Sequence, residues 1–195
     1  AFGDGTVSAN DCFKPVSRYF DRITRPEQII PALTRAMQVL TDPAECGPVT
    51  LALCQDVQAE AYDYPESFFA ERIWTPRRPR SDRDELKAAA EALKAAKKPL
   101  IVAGGGVLYS GASDELARFS AATGTPVCET QGGKSALPDD NALNMAAVGV
   151  TGTEAANRLA AEADLVLAVG TRLQDFTTGS WALFGAAQKT IIGLN

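Results

Sequence analysis

From Ser81 onward, short apolar segments, several of which run into glycines, alternate with segments of helical periodicity. The apolar segments read PLIVAGGG (99–106), TPVCET (125–130), DLVLAVG (164–170) and KTIIGLN (189–195). Strands that are apolar along their length and separated by amphipathic helices are typical of a parallel sheet covered on both faces. The sequence therefore predicts an α/β fold over residues 81–195: a Rossmann-like parallel sheet with helices on both faces. Ligands of such sheets lie beyond the carboxyl ends of the strands.

Three helices are predicted between these strands. The first begins with a capping box of Ser81 and Asp84 and ends in lysines that suit the negative end of a helix. The second covers Ser113 to Thr123, with Ser113 as its cap and Gly124 as its stop. The third covers Thr153 to Ala163 and precedes the strand DLVLAVG.

Residues 1–80 have a different pattern. A helix is predicted from a Thr24 cap with Glu27 three residues later, although Pro31 should kink it or delay its start. The segment GPVTLAL that ends at Leu53 is predicted to be a buried strand, which gives a partial α/β unit. Residues 55–80 are linker-like, because they are rich in proline and aromatic residues. We expect the chain to be a piece of a longer polypeptide.

Composition excludes several classes of function. The 195 residues include no histidine, so histidine-based triads, metal ligands and proton shuttles are excluded within this chain. The net charge of −5 argues against nucleic acid or a membrane surface as partner. No apolar run approaches the ~20 residues that span a bilayer. The four cysteines form no C-x-x-C pair, and we expect them to be reduced, buried and cytoplasmic.

Glycine-rich loops follow two of the predicted strands. Gly104, Gly105 and Gly106 resemble the start of a dinucleotide fingerprint, but Tyr109 stands where its last glycine belongs. They either let a phosphate approach the strand end or form a tight turn that needs positive φ. The loop QGGKS, which follows TPVCET, fails as a phosphate-binding P-loop because Cys128 replaces a required glycine. It stays a candidate for lining a ligand cleft.

A third candidate follows the strand DLVLAVG. Arg172 lies at the strand end, where an arginine can clamp a phosphate or carboxylate with two parallel hydrogen bonds. It can equally pair with Asp175 and hold the loop.

Taken in order, these motifs resemble the acetohydroxyacid synthase-like family of thiamine diphosphate-dependent enzymes. The helix ending in MQVL, the strand GPVTLALCQDVQ, the linker, and then KPLIVAGGG, TPVCET and DLVLAVGTRL follow that family. The resemblance implies that residues 1–58 are the C-terminal part of a pyrimidine-binding domain and 59–80 a linker. Residues 81–195 would be most of a six-stranded central domain, incomplete at its C-terminus. Cys54 departs from the family, whose members place a proline there.

Two stretches, FGDGTVSANDCFKPVSRYFDRITRPEQ and GTRLQDFTTGSW, are most similar to a ring-opening branch of the family. The resemblance implies a complete enzyme that uses thiamine diphosphate and Mg²⁺ to hydrolyse a C–C bond of a cyclic 1,2-dione in inositol breakdown. It also implies a small-molecule substrate and a homodimer or homotetramer. The family's catalytic glutamate and its diphosphate/Mg²⁺ motif have no match here, and Gly3-Asp4-Gly5 lacks the partner asparagine. We expect no catalytic or metal residue in this chain, which should be inert alone.

In some relatives the central domain also binds FAD or ADP. The resemblance places this conditional cofactor site at Gly104, Gly105, Gly106, Thr130, Gln131, Gly132, Gly170, Thr171 and Arg172. In the ring-opening branch the resemblance implies an empty or vestigial site, so bound FAD or ADP is not the expectation. The alternatives are an acetolactate synthase-like carboligase fragment and a free-standing FAD- or ADP-binding module. The module would leave residues 1–80 unexplained. A structural role that holds the catalytic domains in register is compatible with the enzyme fragment.

Overall fold

The computed structural model describes residues 6–185 and 189–195 and divides into two compact units, Ala1–Pro79 and Arg80–Asn195. The rejected metal motif Gly3-Asp4-Gly5 lies outside the described residues. Within the described part of the chain, no helix is both long enough and apolar enough to cross a bilayer.

The first unit contains a two-stranded parallel sheet. Strand β1 (Tyr19–Ile23) pairs with β2 (Val49–Leu53) along its whole length, and helix α1 (Ile29–Leu40) connects them. A short 3₁₀ helix, Ala9–Val16, precedes β1. A small core of Ile23, Ala32 and Val57 is buried beneath Ile29, Leu51 and Cys54. The sequence analysis predicted α1 and β2 but missed β1, and β2 is half-exposed, not buried as predicted.

The start of α1 differs from the predicted Thr24 cap. The side-chain carbonyl of Gln28 accepts from the backbone N–H groups of Thr24 and Arg25, at 2.7 and 3.1 Å. Gln28 is therefore the hydrogen-bond acceptor for the backbone of the turn that leads into the helix. Glu27 forms an ion pair with Arg25 instead. Pro31 lies in the first turn of α1, where a backbone N–H has no intrahelical partner, so it does not delay the helix.

The connecting segment after β2 lies against α1. Tyr64 donates its hydroxyl to the carbonyl of Pro26 (3.3 Å), and Arg72 donates to the hydroxyl of Thr34 (3.4 Å). Only short 3₁₀ turns, Val57–Ala59 and Glu66–Phe68, interrupt its irregular path. The segment thus lacks regular structure, as predicted, but makes specific contacts with α1 and with the turn that precedes it.

The second unit is built on five parallel strands among the described residues, in the spatial order β5-β4-β3-β6-β7. This confirms the predicted parallel α/β fold. Its elements, in chain order, are α2 (Arg83–Ala95), β3 (Pro99–Ala103), α3 (Gly105–Ser110), α4 (Ser113–Thr123), β4 (Val127–Glu129), β5 (Asn144–Ala147), α5 (Glu154–Glu162), β6 (Leu165–Val169), α6 (Asp175–Thr178) and β7 (Thr190–Leu194).

Alternate side chains of the central strands enter two separate cores. Leu100 and Val102 of β3 face the core under α5, whereas Ile101 and Ala103 face the core under α2, α3 and α4. Strand β6 divides in the same way, with Val166 and Ala168 on the α5 face and Leu165 and Leu167 on the other. Helices therefore cover both faces, which explains why these strands are apolar throughout.

Helix caps agree with the sequence analysis in part. Gly124 ends α4 with φ +67°, and the hydroxyl of Thr153 accepts from the N–H of Ala156 (3.1 Å) at the start of α5. The predicted Ser81 cap is wrong, because Asp82 caps α2 by accepting from the N–H groups of the next turn. Ser113 is also not a cap, since it is the first residue of α4.

The prediction that all four cysteines are buried is wrong. Cys12 and Cys46 are exposed, Cys54 is half-buried, and only Cys128 lies in the core, on the α5 face of the sheet. Both exposed thiols belong to the first unit, where fewer layers cover the chain.

At the amino edge of the sheet, Asp164 joins two turns. Its carboxylate accepts from the backbone N–H groups of Lys97 (2.7 Å) and Lys98 (2.9 Å), which precede β3. These bonds hold the pKa of the Asp164 carboxyl below its ordinary 3.8. The carboxylate therefore ties the entry of β3 to the entry of β6.

We expect Cys128 to resist alkylation while the protein is folded. Burial raises the pKa of its thiol to about 12 from an ordinary 9.0, so the reactive thiolate is about a thousandfold scarcer than at an unshifted thiol. Peptide mass spectrometry of a maleimide time course at mildly alkaline pH should show Cys12 and Cys46 modified long before Cys128. Modification of Cys128 at the rate of Cys46 in the folded protein would contradict its placement in the core.

We also expect Asp164→Asn to flatten the acid limb of the stability curve. The folded pKa of Asp164 lies below its unfolded value, so the ionised group stabilises the fold above about pH 3.8 and loses this effect as the pH falls through the folded pKa. Melting temperatures measured from neutral pH to pH 2 should drop less steeply in the variant than in the wild type. Asp140→Asn, in an exposed turn, is the control and should follow the wild type.

Candidate functional site

The strand order reverses between β3 and β6. From β3 the chain moves to β4 and β5 on one side, and then returns to β6 and β7 on the other. Loops diverge at such a switch point, and the crevice between them is the usual ligand site of open α/β sheets. Gly104 and Gly170 are the first residues beyond the two strands that flank it.

Direct backbone contact closes the centre of this crevice. The N–H of Gly104 donates to the carbonyl of Val169 (2.8 Å), and the N–H of Gly106 donates to that of Gly170 (3.0 Å). A Cβ atom on Gly106 would lie 2.6 Å from the Cα of Gly170. A Cβ atom on Gly104 would overlap the carbonyl oxygen of Gly170. Gly104 and Gly106 are therefore required by close packing of two loops.

The positive-φ interpretation of the triple glycine is wrong. Among the described glycines, Gly170 has a left-handed backbone (φ +61°), whereas Gly104, Gly105 and Gly106 do not. Helix α3 instead begins at Gly105, immediately after the strand. The tight left-handed turn thus belongs to the loop after β6.

A cavity of about 310 Å³ lies beside this contact, at the carboxyl edge of the sheet. Seven of the nine predicted cofactor residues line it: Gly105, Thr130, Gln131, Gly132, Gly170, Thr171 and Arg172. Gly104 and Gly106 do not line the cavity, because they pack against the loop after β6. The sequence analysis missed the other lining residues, Val148, Gln174, Phe176, Thr177 and Asn195.

The loop after β4 forms one wall of the cavity and is held at both ends. At its start, the hydroxyl of Thr130 accepts from the N–H of Gly133 (3.1 Å), which shapes the 3₁₀ turn Gln131–Gly133. At its end, the buried carboxylate of Glu129 accepts from the N–H of Leu137 (3.0 Å). The loop closes on itself as a short turn and opens no helix, in agreement with the rejection of a P-loop.

Arg172 forms the opposite wall and is exposed. No ion pair joins it to Asp175 among the described residues, so the predicted alternative of a loop-holding pair is not formed. Asp175 begins α6 instead. The chain reaches α6 through Leu173, a buried leucine with a left-handed backbone (φ +47°).

This geometry favours binding of a small anion over catalysis. Arg172 supplies a positive charge, and the glycines of the surrounding loops expose backbone to the cavity. No group of three or more histidine, cysteine, aspartate or glutamate side chains in the described ranges is placed to hold a metal ion. The lining side chains include no cysteine, lysine or carboxylate that would act as nucleophile or base.

A larger cavity, about 820 Å³, lies at the amino edge, between the C-terminal ends of α2, α4 and α5. Its lining is mainly apolar, with Lys94, Lys97 and Lys98 at its rim, and it shares no residue with the glycine loops. Size alone therefore does not identify the site, and the switch-point position favours the smaller cavity.

Comparison with known proteins identifies relatives over nearly the whole chain. Residues 86–195 match the family model described as "Thiamine pyrophosphate enzyme, central domain". Similar proteins are the 3D-(3,5/4)-trihydroxycyclohexane-1,2-dione hydrolases of Clostridium perfringens (50% identical over 97% of the chain), Bacillus subtilis (49% over 97%) and Clostridium tetani (51% over 92%).

The chain spans only about 30% of the length of these curated relatives, and 28% for the protein of Clostridium tetani. The match to the family model nevertheless covers more than half of the chain. It contains all five strands of the second unit and omits only the first three residues of α2. The chain therefore belongs to the thiamine pyrophosphate enzymes and carries their central domain.

Proposed function

We propose that this chain is part of a thiamine diphosphate- and Mg²⁺-dependent hydrolase that opens a cyclic 1,2-dione by C–C bond cleavage in inositol breakdown. The observation that carries the proposal is the identity of about 50%, over nearly the whole chain, to relatives named trihydroxycyclohexane-1,2-dione hydrolase. That similarity covers 97% of the chain and therefore most of residues 1–80, which a free-standing nucleotide-binding module leaves unexplained. The hydrolase name of these relatives also favours ring opening over the carboligase alternative.

We infer that residues 1–58 are the end of a pyrimidine-binding domain, 59–80 a linker and 81–195 an incomplete central domain. The open sheet of the first unit supports this assignment. Parallel sheets are stable when both faces are covered and rarely exist as an isolated pair, yet β1 and β2 are mostly half-exposed. In the second unit, β7 forms a sheet edge with exposed Ile191 and Leu194. Further strands of the complete protein would cover these edges.

The residues described here do not fit thiamine diphosphate itself. A diphosphate bound through Mg²⁺ needs oxygen ligands gathered around the ion, and the described part of the chain has no group of three or more carboxylate, histidine or cysteine side chains placed for a metal ion. We infer that flanking domains hold the cofactor, which supplies the electron sink for C–C cleavage. The role of this chain is to hold those domains in register, and the active oligomer is a homodimer or homotetramer in the cytoplasm.

The carboxyl-edge cavity is proposed as a vestigial anion site, in which bound FAD or ADP is not the expected state and ADP would bind only weakly. Its volume of about 310 Å³ lies at the lower end of the usual range for ligand pockets, roughly 300–1,000 Å³. The loop contact between Gly106 and Gly170 closes the centre of the switch point beside this cavity. Arg172 is the residue that would pair with a phosphate.

The complete protein should convert the cyclic dione to a ring-opened acid when thiamine diphosphate and Mg²⁺ are present, and the 195-residue chain alone should not. Residues 6–185 and 189–195 hold no group of three or more metal-ligating side chains, so added cofactor should leave the chain inert. Chromatography of the acid product measures both reactions, and circular dichroism establishes that the isolated chain is folded. Turnover by the folded chain alone, or acetolactate formation by the complete protein, would overturn the proposal.

ADP should bind the complete protein weakly, and Arg172→Gln should weaken that binding about tenfold, because a charged hydrogen-bonding pair is lost. Isothermal titration with ADP and with FAD measures both affinities. Lys134→Gln, which removes an exposed charge outside the cavity lining, is the matched control and should bind as the wild type does. If ADP fails to bind at millimolar concentration, the glycine loops serve packing alone.

A further inference from the structure

The cavity of about 820 Å³ at the amino edge of the sheet has apolar walls that three helices supply. Leu93 of α2, Phe119 of α4 and Leu159 of α5 all line it. Phe119 has an exposed fraction of 39%, and both leucines are only half-buried. We call this space the amino-edge cavity. It leaves partly uncovered several apolar side chains that a filled core would bury.

Small residues keep the cavity open where the three helices end. Ala90 and Ala96 lie on α2 or just after it, Gly124 follows α4, and Ala163 follows α5, and all four line the space. Protein interiors are normally packed with few voids larger than a water molecule. Here alanine and glycine leave the gap unfilled, so it has the room of a ligand pocket, for which roughly 300–1,000 Å³ is usual.

The polar atoms of one wall already have partners within the chain. The hydroxyls of Thr123 and Thr125 lie 2.8 Å apart, and the carbonyl of Thr125 accepts from the hydroxyl of Ser120 (2.7 Å). Among the described residues, no buried side-chain nitrogen or oxygen lacks a hydrogen-bond partner. This wall therefore offers a ligand apolar contact rather than free buried donors or acceptors.

Positive charge is concentrated at the mouth of the cavity. Lys94, Lys97 and Lys98 line it together with a single acidic residue, Glu162, in a chain whose net charge is −5. The ammonium of Lys98 pairs with the carboxylate of Glu162 at 3.1 Å. Lys94 and Lys97 are exposed, and neither forms an ion pair within the part of the chain that the structure describes. Two ammonium groups are therefore available to an anion.

The polarity of the cavity changes from its mouth to its interior. Helices α2, α4 and α5 all end here, and the C-terminal end of a helix carries roughly half a negative charge. The lysine ammonium groups outweigh this charge at the exposed mouth, where their side chains reach solvent. An anionic group is therefore favoured at the mouth alone, and an apolar group is favoured between the helices.

We propose that the amino-edge cavity binds a free fatty acid, with its acyl chain between the three helices and its carboxylate on Lys94 and Lys97. The walls match the chain, and the two free ammonium groups match the single negative charge. A nucleotide lacks polar partners in the interior, and inorganic phosphate gains nothing from apolar walls. The site shares no residue with the carboxyl-edge cavity, and the proposal does not rest on the proposed function.

Isothermal titration of the complete protein with hexanoate, octanoate and decanoate tests the proposal. We expect one site per chain and an affinity that rises about fourfold with each added methylene, because each one buries further apolar surface. Circular dichroism recorded along the titration establishes that the protein stays folded. An affinity that is independent of chain length, or no binding at millimolar decanoate, overturns the proposal.

Removal of the two free ammonium groups tests the placement of the carboxylate. The double variant Lys94→Gln, Lys97→Gln should bind octanoate about tenfold more weakly, because two exposed ion pairs are lost, and should bind octanol as the wild type does. Lys87→Gln is the matched control, since Lys87 is exposed on the same helix but lies outside the lining. An equal loss for octanoate and octanol, or an equal effect of Lys87→Gln, contradicts the placement.

Filling the cavity tests the placement of the acyl chain. Ala90→Trp adds an indole to the lining from an exposed position of α2 and should weaken decanoate binding tenfold or more. Ala88→Trp, at an exposed position of the same helix outside the lining, is the control and should bind as the wild type does. Melting temperatures establish that both variants fold. If decanoate binds equally to both, the chain does not occupy this cavity and the proposal is wrong.

A vesicle experiment separates a free fatty acid from a lipid surface. Phosphatidylglycerol vesicles present the same acyl and anionic chemistry in a bilayer, and the net charge of −5 opposes adsorption to them. The complete protein should therefore stay in solution when the vesicles are sedimented. Sedimentation that the double lysine variant abolishes would assign these lysines to a membrane and overturn the proposal. If the complete protein hydrolyses the cyclic dione but binds no decanoate, the inference fails and the proposed function stands.

Discussion

The contact between the loops after β3 and β6 determines how the carboxyl edge is built. Gly104 and Gly106 donate to Val169 and Gly170, and no side chain larger than hydrogen fits between the backbones. The same contact that closes the centre of the switch point leaves the cavity to one side of it. Folds of this class usually bind a ligand between two diverging loops. Here the two loops contact each other, and the space that remains is the cavity of about 310 Å³ beside them.

Polar anchors extend this arrangement outward from the loop contact. Glu129 and Thr130 hold the loop after β4 by accepting backbone N–H bonds, and Thr178 does the same for the turn after α6. Each anchor is buried, so the bond that it makes is stronger than in water and is costly to lose. The cavity walls and the turn after α6 are therefore held in place by buried hydrogen bonds of the chain itself.

The sequence predicted the strands that have a continuous apolar pattern, most clearly those that are buried on both faces. Strands β3 and β6 are apolar at every position because both of their faces are covered, and the seven predicted cavity residues converge because parallel strands end at one edge. Strand β1 was not predicted, because Asp21 and Arg22 interrupt the apolar pattern of this half-exposed segment. Phe176 was not predicted as a cavity residue, because its placement depends on the left-handed backbone of Leu173. A leucine in the sequence does not indicate such a conformation.

The two units differ in how far their own residues complete them. In the second unit, both faces of the sheet are covered and each central strand contributes to two cores, so the less buried strands are β5 and β7 at the two edges. Among its described residues, the first unit has two strands, one α-helix and a buried cluster of three residues, and large apolar side chains such as Phe69 and Ile73 are exposed. Burial of apolar surface is the main driving force of folding, and the first unit achieves little of it. Few buried contacts therefore stabilise the first unit, whereas the second unit has two cores of its own.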